Sequence, residues 1–288
     1  MKTPYQNTLK DAAATMRTRI ATMKLDRKRI VSSLLILPIL LITSCGSDNA
    51  FRIPDPNVLY VAFGDSTTAG PSERDYPDIL REKLQQPPET FSNEGHGGET
   101  TEEGLDRLGE LIEFGIFPNA EVFIYWEGGN DINEFLADHD RLMLFSPEDP
   151  DYPFTNSLSN LLRDITTNIR DAVRLARGAG WEVHVATFFP IVANFGQCPA
   201  LPLDIILPGQ AINANAYIRL LNDSIRSAAA TGGANVLDVS SIGDLLTADG
   251  ANYFNCNHLS AVGNEIVAQF FADELLAAGS LPPLVGWE

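Results

Sequence analysis

Basic residues are scarce in this chain. Lys and Arg total 20 against 38 Asp and Glu, which gives a formal net charge of −18 over 288 residues. The first 44 residues hold eight of the basic side chains and only two acidic ones, so the remainder carries a net charge of −24. A surface this acidic repels phosphate backbones, which excludes nucleic-acid binding as the function.

Cysteines, long apolar runs and internal repeats are also few or missing. Only three cysteines occur, and none lies in a Cys-x-x-Cys pair or in a Cys/His spacing typical of zinc sites. No repeat of 20–50 residues is present. Hydrophobic residues make up 44% and charged residues 20%, a balance typical of a globular domain that buries a sizeable core. We therefore expect one domain over residues 57–288, and neither a metal ion nor an organic cofactor is implied.

The N-terminal segment has the features of a secretion signal. Arg27-Lys28-Arg29 precedes an apolar run over residues 30–42, interrupted by two serines and a proline, and the sequence Ile42-Thr43-Ser44-Cys45 follows. Thirteen residues are short for a membrane span but suit the apolar region of a signal peptide. The last four residues resemble a bacterial lipobox, in which the cysteine is lipidated and becomes N-terminal. The alternative is an uncleaved membrane anchor.

We predict a signal peptide over residues 1–44 and a lipidated tether over residues 45–56, which begins with Gly46-Ser47 after Cys45. A start at Met23 would leave a signal of ordinary length. The expected product is an exported bacterial lipoprotein that faces the periplasm or the cell surface. Because no Asp directly follows Cys45, the outer membrane is favoured over the inner one.

Export also bears on the two remaining cysteines. Disulfides persist outside the cytoplasm, and Cys198 and Cys256 form an even pair. Two buried free thiols are the alternative. We predict a disulfide.

From residue 51 onward, short apolar runs alternate with amphipathic segments. Nearly continuous β-branched and aromatic runs predict parallel strands buried on both faces, and three- to four-residue apolar spacing predicts helices. The pattern predicts an α/β fold, a three-layer doubly wound sandwich around a central five-stranded, mainly parallel sheet. The predicted strands are 58–63, 91–93, 122–126, 183–188 and 236–239, and the predicted helices are 75–86, 101–113, 157–178, 212–230 and 260–278. Residues 133–155 and 189–210 are predicted as long connections at the carboxyl edge of the sheet, where open α/β sheets bind ligands.

Three motifs follow the first three predicted strands at this edge. Gly64-Asp65-Ser66 places a hydroxyl at the end of the first strand. Residues 93–101 form a glycine-rich motif whose N–H groups can approach an anion without a Cβ in the way. Gly128-Gly129-Asn130-Asp131 ends the third strand with an amide that can donate to a developing oxyanion. A fourth motif, Asn255-Cys256-Asn257-His258, precedes the last predicted helix and places a histidine where a general base can reach Ser66. Taken singly, the first three motifs are also typical of capped turns, and a lone histidine before a helix is more often structural.

These four motifs, in this order, resemble those of the SGNH hydrolases, also called GDSL-like lipases and esterases, over residues 57 to about 278. The resemblance implies a flavodoxin-like fold with Ser66 as the nucleophile and His258 as its base. It also implies an oxyanion hole made by the backbone N–H groups of Ser66 and Gly98 and the side chain of Asn130. Asp65 and Asp131 would be structural supports.

One position departs from the family pattern. Family members commonly have Asp three residues before the histidine, where this chain has Asn255. An amide can accept a bond from the imidazole but can also donate to it, and in the serine-protease template an Asp-to-Asn change costs about 10⁴ in kcat. Some family members use a backbone carbonyl instead, and Asp249 is a weaker substitute. Asn255 is therefore the predicted orienting group in place of Asp.

The predicted function is an exported, lipid-anchored serine ester hydrolase of the esterase or lipase type. Its partners are a small-molecule or lipid ester and, through Cys45, a membrane. The apolar 189–208 segment favours an apolar acyl or aryl group. The alternatives are a carbohydrate O-acetylesterase and a non-catalytic binding lipoprotein on the same scaffold.

Overall fold

The computed structural model describes residues 52–70, 72–195 and 205–280. The predicted signal peptide, the lipidation site at Cys45 and the predicted disulfide partner Cys198 lie outside these residues. Those predictions therefore remain predictions.

A five-stranded parallel sheet forms the centre of the fold, as predicted. The strands of the sheet are β1 (Tyr60–Gly64), β2 (Phe91–Gly95), β3 (Val122–Trp126), β4 (Glu182–Ala186) and β7 (Asn235–Leu237). In the spatial order β2–β1–β3–β4–β7 they pair in parallel throughout. Register places Gly64 at the end of β1 beside Gly95 of β2 and Trp126 of β3, so three of the motifs meet at one edge.

Helices flank the sheet in two packed groups, which completes the predicted three-layer architecture. The helices are α1 (Ser66–Ala69), α2 (Tyr76–Lys83), α3 (Thr101–Glu113), α4 (Gly129–His139), α5 (Thr155–Gly178), α6 (Pro208–Gly232), α7 (Gly243–Thr247) and α8 (Ala261–Ala278). In one group α2 packs against α8, and in the other α5 packs against both α3 and α6.

The sequence explains why these segments take these forms. Every residue of β1 and β3 is buried, as expected for central strands covered on both faces. Helix α5 buries residues at three- and four-residue spacing along one stripe, including Leu158, Ile165 and Ile169. Helix α3 begins with a capping box in which Thr100 and Glu103 satisfy each other's backbone N–H groups.

Two predicted connections contain regular structure, which corrects the sequence-based prediction. Residues 129–139 form α4, so the 133–155 connection begins inside a helix; Ile132, Phe135 and Leu136 supply its buried stripe. In the 189–210 connection, β5 (Asn194–Phe195) and β6 (Ile205–Ile206) pair antiparallel, and α6 begins at Pro208, four residues before the predicted start. The short apolar repeat of α4 was too brief to stand out against its acidic surroundings.

Candidate functional site

Ser66 lies at the turn from β1 into α1, half-buried at the carboxyl edge of the sheet. Asp65 precedes it as the helix N-cap, and its Oδ1 accepts a hydrogen bond of 2.7 Å from the Thr67 N–H. Because Ser66 is the first residue of the helix, its own N–H has no acceptor within that helix. The cap therefore leaves a backbone donor beside the Ser66 hydroxyl.

Two glycines allow this turn to sit against the neighbouring strands. A Cβ at Gly64 would collide with the Thr68 hydroxyl and the Trp126 carbonyl oxygen, and a Cβ at Gly95 would collide with the backbone of Ala69. Helix α1 thus lies against the backbone of β2 at Gly95, and β1 lies against the backbone of β3 at Gly64. The position of Ser66 is therefore set by the close contacts that Gly64 and Gly95 make at the carboxyl edge of the sheet.

His258 reaches Ser66 from the loop before α8. Its Nε2 lies 2.7 Å from Ser66 Oγ, although 192 residues separate the two in sequence. An antiparallel bridge between Tyr253 and Leu259 closes this loop, and Ser260 caps α8 by accepting from the Gly263 N–H. Burial lowers the pKa of His258 below its usual value of 6.5, so the imidazole is neutral and able to accept a proton at neutral pH.

Asn255 occupies the far side of the imidazole. Its Oδ1 accepts backbone bonds from Asn257 N–H at 3.0 Å and His258 N–H at 2.9 Å. His258 Nδ1 lies 2.9 Å from Asn255 Nδ2 and 3.1 Å from Asn255 Oδ1. The structure therefore places Asn255 at the predicted position, with an amide rather than a carboxylate facing Nδ1.

The other two predicted oxyanion donors lie on the first turn of α4 and on the turn before α3. Asn130 belongs to the first turn of α4, and its Nδ2 donates to the Glu99 carbonyl oxygen at 2.9 Å. An amide nitrogen carries two N–H groups, so this bond orients the side chain and leaves one donor for a ligand. Gly98 is exposed and has φ = 88°, a left-handed conformation that favours glycine.

Asp131 connects these two segments. Its carboxylate accepts from the Thr101 N–H at 2.9 Å and from the Thr101 hydroxyl at 2.7 Å. The first turn of α4 is thereby fixed to the start of α3. This contact agrees with a supporting role for Asp131.

A group of buried carboxyls beneath the site was not predicted from the sequence. Glu99 accepts from Arg107 Nε at 2.6 Å, and the Arg107 guanidinium lies 3.8 Å from the centre of the Phe63 ring. Glu127 is 1% exposed at the end of β3, and its carboxyl lies beside that of Glu99. Burial, followed by the charge of Asp65, raises the pKa of Glu127 well above its usual 4.5. A charged residue directly after five buried strand residues was the available signal.

Asp65 is perturbed in the same direction. Burial is the main cause and raises the pKa of its carboxyl to about 7, while the hydrogen bonds from Thr67 act against this shift. The nucleophile turn therefore rests on an acid that titrates near neutral pH.

Two cavities of unequal size open beside Ser66 and His258. The smaller has a volume of about 40 Å³ and is lined in part by Phe188, Phe189 and Ile218. The larger has a volume of about 550 Å³, and its apolar wall consists of Leu136, Ala137, Met143, Ile191 and Ile206. Asn130 lines both cavities. An ester held at Ser66 could thus place its two halves in spaces of different size.

Cys256 is buried and lines the larger cavity, two residues before His258. Its predicted partner lies outside the described residues, so the bridge stays a prediction.

Within residues 52–70, 72–195 and 205–280, no cluster of three or more His, Cys, Asp or Glu side chains could hold a metal ion. No helix in this described part combines the length and apolar character needed to span a membrane.

Comparison with known proteins places the chain in a family. Residues 62–266, well over half of the chain, match the model of the GDSL-like lipase/acylhydrolase family, and the chain belongs to that family. The match begins within β1 and ends within α8, so it contains Ser66, Gly98, Asn130 and His258. No curated protein matches the sequence.

Several solved structures share the fold. A GDSL-like lipase from Bacteroides thetaiotaomicron is 14% identical, with 80% of this chain and 94% of the other covered and a TM-score of 0.50. An acetyl xylan esterase is 18% identical, with 76% and 100% covered and a TM-score of 0.50. A lipase/acylhydrolase from Enterococcus faecalis is 20% identical, with 80% and 100% covered and a TM-score of 0.47. At these identities the likeness concerns the fold alone.

Proposed function

We propose that this protein is a serine ester hydrolase that cleaves acyl esters through Ser66 and His258. The observation that carries the proposal is the 2.7 Å contact between Ser66 Oγ and His258 Nε2 at the carboxyl edge of the sheet. A nucleophile paired with a neutral base at hydrogen-bond distance is the arrangement that acyl transfer requires. Family membership supports ester hydrolysis as the reaction class.

The reaction proceeds in two halves. His258 Nε2 takes the hydroxyl proton of Ser66 as Oγ attacks the ester carbonyl carbon, and the carbonyl oxygen becomes an oxyanion. His258 then gives that proton to the departing alcohol, which leaves an acyl group on Ser66. Water, deprotonated by His258, attacks the acyl group, and collapse of the second tetrahedral intermediate releases the acid and restores the hydroxyl.

Three donors would stabilise the oxyanion. The Ser66 N–H is available because it opens a helix, the Gly98 N–H lies on an exposed turn, and Asn130 keeps one N–H after donating to Glu99. These donors are held before substrate arrives, so little reorganisation is needed when charge develops.

The cavities bear on the choice of ester. The apolar wall of the larger cavity supports an apolar acyl or aryl group on one side of the ester. The smaller cavity, at about 40 Å³, supports a second candidate, an O-acetylesterase in which the short acyl group occupies that space.

Export and anchoring belong to the same proposal. The basic, apolar and Cys45-terminated segment of residues 27–45 supports cleavage before Cys45 and lipidation of its thiol. Metabolic labelling with a radioactive fatty acid tests this. We expect label in the wild-type protein and none in Cys45→Ala; label retained in that variant would contradict the anchor.

The catalytic proposal is tested with Ser66→Ala and a fluorophosphonate probe. The wild-type protein should be tagged and should hydrolyse p-nitrophenyl esters, whereas Ser66→Ala should do neither while its circular dichroism stays unchanged. Ser227→Ala, an exposed serine of α6, serves as the matched control and should behave as wild type. Untagged, inactive wild-type protein would favour a non-catalytic binding role, and turnover by Ser66→Ala would remove Ser66 as the nucleophile.

A further inference from the structure

The larger cavity differs in charge from the rest of the protein. Acidic residues outnumber basic ones by 38 to 20 in the chain, yet no acidic side chain lines this cavity in the described residues. Its polar lining near the reacting atoms consists of neutral amides and the neutral imidazole of His258. The one lining residue with a formal charge at neutral pH is Arg141, which is exposed at the cavity.

Arg141 makes no ion pair or hydrogen bond within the described part of the chain. The adjacent acid is occupied elsewhere, because the two carboxylate oxygens of Asp140 accept from the N–H groups of Leu144 and Phe145, each at 2.9 Å. An unpaired guanidinium beside a cavity retains its five donors for a ligand.

The turn that carries Arg141 is held in place by α6. Gln210 Nε2 donates to the Leu142 carbonyl oxygen at 2.7 Å, and Asn213 Nδ2 donates to the Met143 carbonyl oxygen at 2.8 Å. Met143 itself is buried and contributes to the apolar wall. The backbone next to Arg141 is therefore fixed relative to that wall, which places the start of this side chain at the cavity.

From these observations, and resting on the proposed ester hydrolysis, we infer that the preferred substrates carry an anionic group on the half of the ester that occupies the larger cavity. An apolar part of the substrate contacts the apolar wall of the larger cavity, and a terminal carboxylate, phosphate or sulfate of the substrate pairs with Arg141. The strongly negative remainder of the protein repels such a substrate, so Arg141 supplies the local attraction that offsets this repulsion.

Pairs of esters that differ only in charge test the inference. On the acyl side, the p-nitrophenyl monoester of adipic acid is compared with the p-nitrophenyl ester of adipamic acid, its neutral amide isostere. On the alcohol side, 4-(carboxymethyl)phenyl hexanoate is compared with 4-(carbamoylmethyl)phenyl hexanoate, in which the methylene group keeps the two phenols closely matched as leaving groups. At pH 8 we expect kcat/KM to favour the anionic member of at least one pair by about 3- to 10-fold, the range for one partly exposed charged contact. The pair that shows the preference identifies the half of the ester in the larger cavity.

The Arg141→Gln variant should reduce this ratio to about one or below, since an attractive charge is replaced by a neutral amide. Arg141→Lys should keep part of the preference. Arg163→Gln, which removes an exposed arginine on α5, is the matched control and should keep the wild-type ratio.

Each outcome bears on one claim. Turnover without a preference in either pair, or a preference that survives Arg141→Gln, overturns the inference and leaves ester hydrolysis intact. Absence of turnover with every ester, in protein that is folded, overturns the proposed function and the inference with it.

Discussion

Asn255→Asp should make this protein a faster hydrolase. In the wild-type loop, Asn255 Oδ1 is engaged by two backbone N–H groups, which leaves Nδ2 at 2.9 Å from His258 Nδ1. An amide N–H that donates to Nδ1 favours the tautomer with its proton on Nε2, and this tautomer cannot accept the Ser66 proton. A carboxylate at the same place has only acceptors, so it holds the proton on Nδ1 and stabilises the imidazolium that forms during attack.

The size of the expected increase in kcat depends on how often the wild-type amide already allows the tautomer with its proton on His258 Nδ1. In the serine-protease template, replacing Asp by Asn costs about 10⁴ in kcat. Here Asn255 Oδ1 also lies 3.1 Å from Nδ1, so part of the productive tautomer remains available. We therefore expect Asn255→Asp to raise kcat by about 10- to 10³-fold, equivalent to about 1.4–4 kcal/mol of barrier.

The pH profile supplies an independent readout. Activity requires neutral His258 and falls as pH drops through the pKa of that imidazole. Burial alone lowers this pKa in the wild type, so the midpoint of the loss of activity at low pH, called the acid limb below, lies below pH 6.5. A carboxylate beside Nδ1 stabilises the charged form and should move the limb to higher pH by about one unit or more.

Steady-state hydrolysis of a p-nitrophenyl ester between pH 4.5 and 9 measures both effects. Asn255→Ala is the control: it leaves two loop N–H groups without their acceptor and should lower both kcat and stability. A folded Asn255→Asp variant with wild-type kcat and an unmoved acid limb would refute the tautomer argument.

Three further expectations concern other parts of the site. Asn130→Ala should lower kcat by about 10²–10³ with little change in KM, as measured by steady-state kinetics, because the lost bond strengthens in the transition state; a raised KM with normal kcat would indicate ground-state binding instead. Burial raises the pKa of Glu127 in the folded protein, so its contribution to stability is present below pH 4.5 and is lost as pH rises from there toward the elevated pKa. Thermal melts should show a weaker decline in stability with rising pH in Glu127→Gln than in the wild type, and parallel declines would contradict this. If Cys198 and Cys256 are bridged, thiol titration of the denatured, unreduced protein should detect no reactive thiol from either residue. The Cys256→Ser variant should then lose up to about 4 kcal/mol of its free energy of unfolding. Two reactive thiols would exclude the bridge.

The sequence allowed the sheet and the main site positions to be predicted because both depend on short-range patterns. Buried strands appear in the sequence as continuous apolar runs, which identified the five strands. Because parallel strands bring their carboxyl ends to one edge of the sheet, Ser66 and Asn130 could be placed together from the sequence alone. The loop with His258 was predictable from its place before the last helix.

The remaining features depend on contacts between distant segments. Which Asn255 atom faces the imidazole depends on the loop backbone that engages Oδ1. The burial of Glu127 and the fixed turn at Arg141 result from packing against α3 and α6, which local sequence does not encode. Helix α4 was missed because its apolar repeat spans little more than one turn.

The close packing at Gly64 and Gly95 has a consequence for how this scaffold can diversify. Because any side chain at either position collides with a neighbouring backbone or buried hydroxyl, the nucleophile cannot be repositioned by small substitutions nearby. New substrate preferences must instead arise in the segments that line the larger cavity, such as the turn at residues 140–143 and the strand at Ile206. Libraries aimed at altered selectivity should vary the cavity-lining side chains of those segments and leave the two glycines unchanged.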